Sequence, residues 1–480
     1  MASNFIDGDW IESTTGETFE VYNPANTDEV VGEYPQSSAK EAADAVDAAA
    51  AASDEWAATP GPERGAILTG AARRLEDRRD ELVETLTREE GKTHAEAEPE
   101  VGRAIDIFYY YGQKAKDFGG TVKQPSSPDM NLSTRKEPLG VAALITPWNY
   151  PIAIPAWKLA PALATGNAVV LKPASLAPAM AVNIVECLSE ASLPDGVVNL
   201  VTGPGSEVGE TFTTHEDVDA VSFTGSTAVG RHVYETAAEN QKRTQTEMGG
   251  KNPTIVSESA DVDQAVEIIG AGGFGVTGQA CTACSRAIVH ESVLDEVVEG
   301  LVDYAESTEV GPGAEGYDMG PQVSEDELES TLEYIDVAQE EGATLAAGGE
   351  QLMGGRFENG HYVEPTVFTD VDPEMRIAQE EVFGPVVSVI SVESFEEAMT
   401  VANGVEYGLS ASIVTDDLAE ANRFVDEIEA GVAKVNQKTT GLELHVPFGG
   451  VKQSSSNTYR EQGEAGLEFF TTTKTVYKNY

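Results

Sequence analysis

At 480 residues the chain is too long for one compact core, so two or three lobes are expected. Its 82 acidic residues against 30 Lys plus Arg leave a formal charge of −52, which excludes nucleic acid and anionic membrane surfaces as partners. Three cysteines, Cys187, Cys281 and Cys284, exclude a disulfide framework, and no stretch approaches about 20 unbroken apolar residues, which excludes a membrane span.

The opening MASNFIDGDW lacks the basic and apolar regions of a signal peptide, so a cytoplasmic protein is expected. Phe5 to Ile11 reads as a hairpin turning at Asp7-Gly8. Two long helical patterns follow, Ala39 to Trp56 and Pro62 to Glu90, the second with Pro in its first turn and a stop at Gly91. Thr121 to Glu137 is polar and alternating, as is the tail from Phe469 to Tyr480. Neither has a core of its own, so they form either an arm that pairs with another subunit or a frayed edge and tail. From Gly140 short apolar runs alternate with helices: Val141 to Ile145, Ala168 to Leu171, Val197 to Val201 and Ala220 to Phe223. A second set follows Glu247, at Thr254 to Val256, Ala287 to Val289, Val386 to Ile390, Ala411 to Val414 and Gly431 to Val435. This alternation predicts an α/β fold of two parallel sheets meeting near residue 248. The acids are interleaved with apolar positions throughout, as at Asp295, Glu296 and Glu299, a pattern that resembles halophilic surfaces, where molar salt shortens the reach of self-repulsion.

Cys281, in FGVTGQACTACSR, follows a Gly-rich helical stretch and precedes a strand. A lone thiol in such a place is more often a buried structural group, and as a nucleophile it needs amide dipoles or a base to raise its thiolate fraction. Cys281 and Cys284 form a C-x-x-C, but with no second pair and only His290 nearby a zinc site lacks ligands, so no metal is expected. The Gly225 to Gly230 spacing is followed by Arg231-His232 instead of Lys-Ser/Thr, so it is not a Walker A loop.

Seven motifs in fixed order change the reading: ITPWNYP (Ile145 to Pro151), LKPAS (Leu171 to Ser175), FTGSTAVG (Phe223 to Gly230), EMGGKNP (Glu247 to Pro253), GQAC (Gly278 to Cys281), EEVFGP (Glu380 to Pro385) and PFGGVKQSS (Pro447 to Ser455). Together they resemble the aldehyde dehydrogenase superfamily, from the first hairpin to the last strand. The resemblance implies two Rossmann-like domains and a small β oligomerisation arm. The implied division is 1–120 and 139–247 for cofactor binding, 248–446 for catalysis, and 121–138 with 466–480 for the arm, in a homo-oligomer, dimer or tetramer. It also implies Cys281 as nucleophile, Asn149 as side-chain half of an oxyanion hole, Glu247 as general base, and Lys158 with Glu461 as an outward proton relay, although two extra residues precede Glu461 and Lys158 alone reads equally as a surface lysine. The cofactor, NADP or NAD, would be held by Thr146, Pro147, Trp148, Lys172, Ser175, Gly205, Phe223, Gly225, Ser226, Gly230, Gly249, Glu381 and Phe383.

Within the family, TGQACTACSR and the C-terminal HVPFGGVKQSS segment resemble the α-ketoglutarate semialdehyde (2,5-dioxopentanoate) dehydrogenases of pentose and sugar-acid oxidation. Lys438 and His445, before PFGG, are then candidates for holding a distal carboxylate, or else exposed loop residues. Alternatives are another semialdehyde such as succinate semialdehyde, a CoA-acylating relative disfavoured by Glu247, and a catalytically silent binding relative. Ser175, where NAD-selective relatives often carry Glu, implies that NADP is accepted at least as well as NAD. Its other reading is a cap on a helix beginning near Ala177.

Overall fold

The computed structural model describes residues 3–480; Met1 and Ala2, where the implied first domain begins, lie outside the described residues. The first sheet has seven strands in the spatial order Arg243–Glu247, Ala220–Thr224, Val141–Ile145, Ala168–Lys172, Val198–Leu200, Asn4–Ile6 and Asp9–Ile11. The first five are parallel, and the N-terminal hairpin adds antiparallel strands, its turn made by left-handed Asp7 and Gly8. Val141–Ile145 and Ala168–Lys172 are buried at every residue, the mark of strands covered on both faces. The parallel part of this sheet begins at Val141–Ile145, steps outward through Ala168–Lys172 and Val198–Leu200, and then returns to the opposite side of Val141–Ile145 with Ala220–Thr224. That reversal opens a crevice beyond the carboxyl ends of the central strands.

The second sheet runs Thr344–Ala347, Thr366–Thr369, Val386–Val392, Cys284–His290, Asn252–Val256, Ser410–Val414, Val432–Val435, parallel except for its first strand. Only Met248–Lys251 separates the end of Arg243–Glu247 from the start of Asn252–Val256. The carboxyl edge of one sheet therefore continues into the amino edge of the other.

Met130–Pro138 pairs antiparallel with Thr471–Asn479, and Val122–Lys123 adds an edge, so the two segments left without a core in the sequence form one three-stranded sheet. The helix Gly463–Phe469 packs instead on the first core, with Leu467 and Phe469 buried there. No helix among the described residues is long and apolar enough to cross a membrane.

The pattern expected as one helix from Pro62 to Glu90 is two, Gly61–Asp77 and Arg79–Glu90, broken at Arg78 (φ −101°, ψ 12°). The Arg78 guanidinium is drawn to the neighbouring helix, donating to Asn183 Oδ1 at 2.7 Å and Glu186 Oε2 at 3.0 Å. A third helix, His94–Lys114, starts from a capping box between Thr93 and Glu96. Arg243–Glu247 escaped the apolar pattern because its sequence, RTQTE, is polar although Thr244 to Glu247 are buried.

Candidate active site

The turn before Cys281 is held in an unfavourable backbone conformation. Val276, Thr277 and Gly278 have φ of 53°, 56° and 69°, and β-branched residues seldom occupy that region. Its surroundings fix it: Glu96 accepts from the Val276 N–H at 2.6 Å and the Thr277 hydroxyl donates to the Gly320 carbonyl at 3.1 Å. Asn252 Nδ2 then donates to the Cys281 carbonyl at 2.8 Å. Cys281 itself remains partly accessible. Burial, and after it the carboxylates of Glu381, Glu247 and Glu461, push its thiol up, while its own backbone N–H opposes the shift. Cys284 is buried, donates to Thr254 Oγ1 at 3.2 Å and is pushed up to about 11 by burial, as an inert structural thiol would be.

Asn149 follows the central strand Val141–Ile145. Its buried side-chain amide donates one N–H to the Gln279 carbonyl at 2.9 Å, two residues before Cys281, leaving the second N–H for another acceptor. Glu247 ends the edge strand. Its Oε2 accepts from the Gly450 N–H at 2.8 Å, whereas Oε1 is buried with no partner. A Cβ on Gly449 would lie 2.4 Å from that Oε1, so the carboxyl needs glycine beside it. Burial, with Glu461 adding to it, holds the Glu247 carboxyl well above the usual range. Lys158 is 1% exposed, so its reading as a surface lysine is not borne out. Its Nζ pairs with Glu461 and donates to Ser222 Oγ at 2.7 Å, while Glu461 Oε2 is left unpartnered.

The dinucleotide candidates lie beyond the carboxyl ends of four adjacent parallel strands: Thr146 to Trp148 after Val141–Ile145, Ser175 after Ala168–Lys172, Gly205 after Val198–Leu200, and Gly225 with Ser226 after Ala220–Thr224. Ser226 precedes the helix Thr227–Glu239, whose first N–H groups face the crevice end of the sheet. A Cβ on Gly225 would lie 2.7 Å from the Phe223 ring and one on Gly230 2.5 Å from Met248 Sδ, so helix and strand approach as only glycine permits. Thr146 and Thr224 present buried hydroxyls without partners. Lys172 is buried, donates to the Pro173 carbonyl at 2.9 Å and is brought down to about 8 by burial. On the other lobe, Glu381 Oε1 accepts from the Gly250 N–H at 2.9 Å, and a Cβ on Gly249 would meet its other oxygen at 2.1 Å. Burial pushes the Glu381 carboxyl up to about 7. Phe383, with φ 59°, meets Trp148 edge to face at 5.4 Å between ring centroids. Unpartnered hydroxyls, a helix start and a glycine cradle fit a dinucleotide. Ser175 is exposed and does not cap the following helix, which begins at Ala179 and receives the Glu89 carboxylate at 2.9 and 3.0 Å.

Residues 10–476 match the model of the aldehyde dehydrogenase family. The chain belongs to that family. This aldehyde dehydrogenase is 66% identical over 479 residues, 100% of the chain and 99% of the relative, to an α-ketoglutarate semialdehyde dehydrogenase of Haloferax volcanii. It is 44% identical over 473 residues, 98% of each, to a 2,5-dioxopentanoate dehydrogenase of Saccharolobus solfataricus. Its fold matches the crystal structure of a betaine aldehyde dehydrogenase from Staphylococcus aureus in complex with NAD+, with TM-score 0.97 and 36% identity over 100% of this chain and 95% of that one. The sequence reading assigned no role to several residues around this aldehyde dehydrogenase's candidate site. Asn252, Gly449 and Gly450 lie inside quoted motifs but carry no chemistry of their own until the fold points them at Cys281 and Glu247. Lys438 and His445 are exposed, His445 with Glu443 at 3.8 Å.

Proposed function

We propose that the enzyme oxidises α-ketoglutarate semialdehyde to 2-oxoglutarate with NADP or NAD, through a thioester on Cys281. The observation that carries the mechanism is the junction between the sheets, where Asn149, Cys281 and the unpartnered Oε1 of Glu247 converge. The Cys281 sulfur attacks the aldehyde carbon, its proton passing to solvent at the partly accessible thiol as the C–S bond forms. The free N–H of Asn149 and the Cys281 backbone N–H hold the resulting oxyanion, each such donor contributing about 10²–10³ in rate. When bound, a nicotinamide dinucleotide would supply the two-electron acceptor for the hydride that leaves the adduct carbon as its carbonyl re-forms, giving the thioester. Glu247 then takes a proton from water as its oxygen adds to the thioester, the C–S bond breaks, and the acid leaves. Lys158 and Glu461 carry that proton outward. The long exposed edge strand Thr471–Asn479, with Tyr477 69% exposed, suits pairing with another copy, in a dimer or tetramer.

The substrate assignment rests on the similarity to the semialdehyde dehydrogenases. Arg103 is a further candidate for a distal carboxylate beside Lys438 and His445. It lines a cavity of about 630 Å³ together with Leu442, Leu444 and the acids Glu98, Asp106 and Glu443, and its own hydrogen bonds go to neutral acceptors, the Leu442 carbonyl and Gln462 Oε1 at 2.7 Å. A panel of aldehydes assayed in ~2 M KCl, where the Debye length is only ~2–3 Å, tests the assignment. Carboxylate-bearing short semialdehydes should have the highest kcat/KM, and a higher value for benzaldehyde or decanal would overturn it.

For the nucleotide, an exposed Ser175 beside Lys172 leaves room for a 2′-phosphate, whereas a carboxylate there would repel it. Ser175→Glu should raise KM for NADP by about tenfold, ~1.4 kcal/mol, and spare NAD. An unchanged NADP/NAD ratio in steady-state kinetics would place discrimination elsewhere.

A further inference from the structure

The start of the helix His94–Lys114 and the residues just before it grip both halves of the site. Lys92 is 2% exposed, and its Nζ donates to Glu100 Oε2 at 2.6 Å and to the backbone carbonyl of Asn149 at 2.8 Å. The same ammonium lies 4.6 Å from the centroid of the Tyr150 ring. Glu100 uses its other oxygen on the next turn of that loop, accepting from the N–H groups of Ile152 and Ala153 at 3.2 Å each. The loop Asn149–Ala153 is thereby bracketed by the buried Lys92–Glu100 pair, and a second buried carboxylate, Glu90, lies 3.7 Å from the same ammonium. Glu96, one turn from both, accepts from Val276 N–H in the strained turn that delivers Cys281.

Burying an ammonium and a carboxylate is a poor route to stability, because desolvation offsets most of their attraction. What the pair does provide is direction. Lys92 has fixed donors aimed at a carbonyl, and that carbonyl belongs to the residue whose side-chain amide faces the Gln279 carbonyl beside the nucleophile. We propose that Lys92, steadied by Glu100, is a positioning residue that aims the Asn149 amide at the oxyanion formed on Cys281. The proposal rests on the reading of Asn149 as oxyanion donor.

A double-mutant cycle separates the two. Lys92→Met should lower kcat by roughly 10²-fold, the loss expected of a displacement of about 1 Å in a catalytic donor, with KM for aldehyde and binding of NAD+ little changed. On an Asn149→Ala background the same substitution should cost no more than about twofold. Glu100→Gln, which keeps the shape of the pair and an acceptor for the loop, should give a smaller loss that also vanishes on the Asn149→Ala background; it serves if Lys92→Met fails to fold. Equal losses in both backgrounds would overturn the positioning role while leaving Asn149 as the donor. An Asn149→Ala enzyme of undiminished kcat would overturn the oxyanion reading itself, and the positioning role with it.

Discussion

Cys281→Ala is expected to cut aldehyde-dependent formation of reduced cofactor by about 10³-fold or more, the scale of loss when a covalent nucleophile is removed. Binding of the dinucleotide, followed by fluorescence or calorimetry, should persist, because the crevice is built from the carboxyl ends of the first sheet and Cys281 enters from the second. Cys284→Ala is the matched control. That thiol is buried against Thr254, so its loss costs packing and little activity. An active Cys281 variant beside a dead Cys284 variant would reverse the assignment.

Glu247→Gln is expected to separate the two half-reactions. Removing a carboxylate that pushes the Cys281 thiol up eases ionisation of the nucleophile, so a first-turnover burst of reduced cofactor should survive. Hydrolysis should slow by about 10²–10⁴-fold, the contribution of a positioned general base. The pH dependence carries its own sign. A carboxyl held well above its ordinary value is protonated at low pH and gains its basic form as pH rises, so wild-type thioester hydrolysis should climb with pH through that raised value. The climb should be absent in Glu247→Gln. Loss of the burst together with turnover would move Glu247 to the step before the thioester.

The parallel strands were legible because burial on both faces demands continuous apolar runs, as in Val141–Ile145 and Ala168–Lys172. The positions proposed for nucleophile, oxyanion donor and base stood out only through ordered motifs, since a carboxylate among 82 acids has no local signature. The strand that ends in Glu247 stayed hidden for a physical reason. Its buried side chains are polar: Gln245 Oε1 is taken by Ser222, and the Thr246 N–H donates to Ser456, from the segment that covers this edge. The break at Arg78 depends on Asn183 and Glu186, about a hundred residues away, which no local periodicity reports. Lys92 was likewise invisible as anything but one more charge after a helix stop. Only the fold brings it to the Asn149 carbonyl. The exposed segments at Thr121 to Glu137 and the tail each lacked a core because each supplies one side of the same ladder.

The most direct test of the covalent account is peptide mass spectrometry on Glu247→Gln, quenched with acid after mixing with semialdehyde and oxidised cofactor. The peptide containing Cys281 and Cys284 should gain the mass of one acyl group, and fragmentation should place it on Cys281. An unmodified peptide after a full burst, or an acyl group on Cys284, would contradict it.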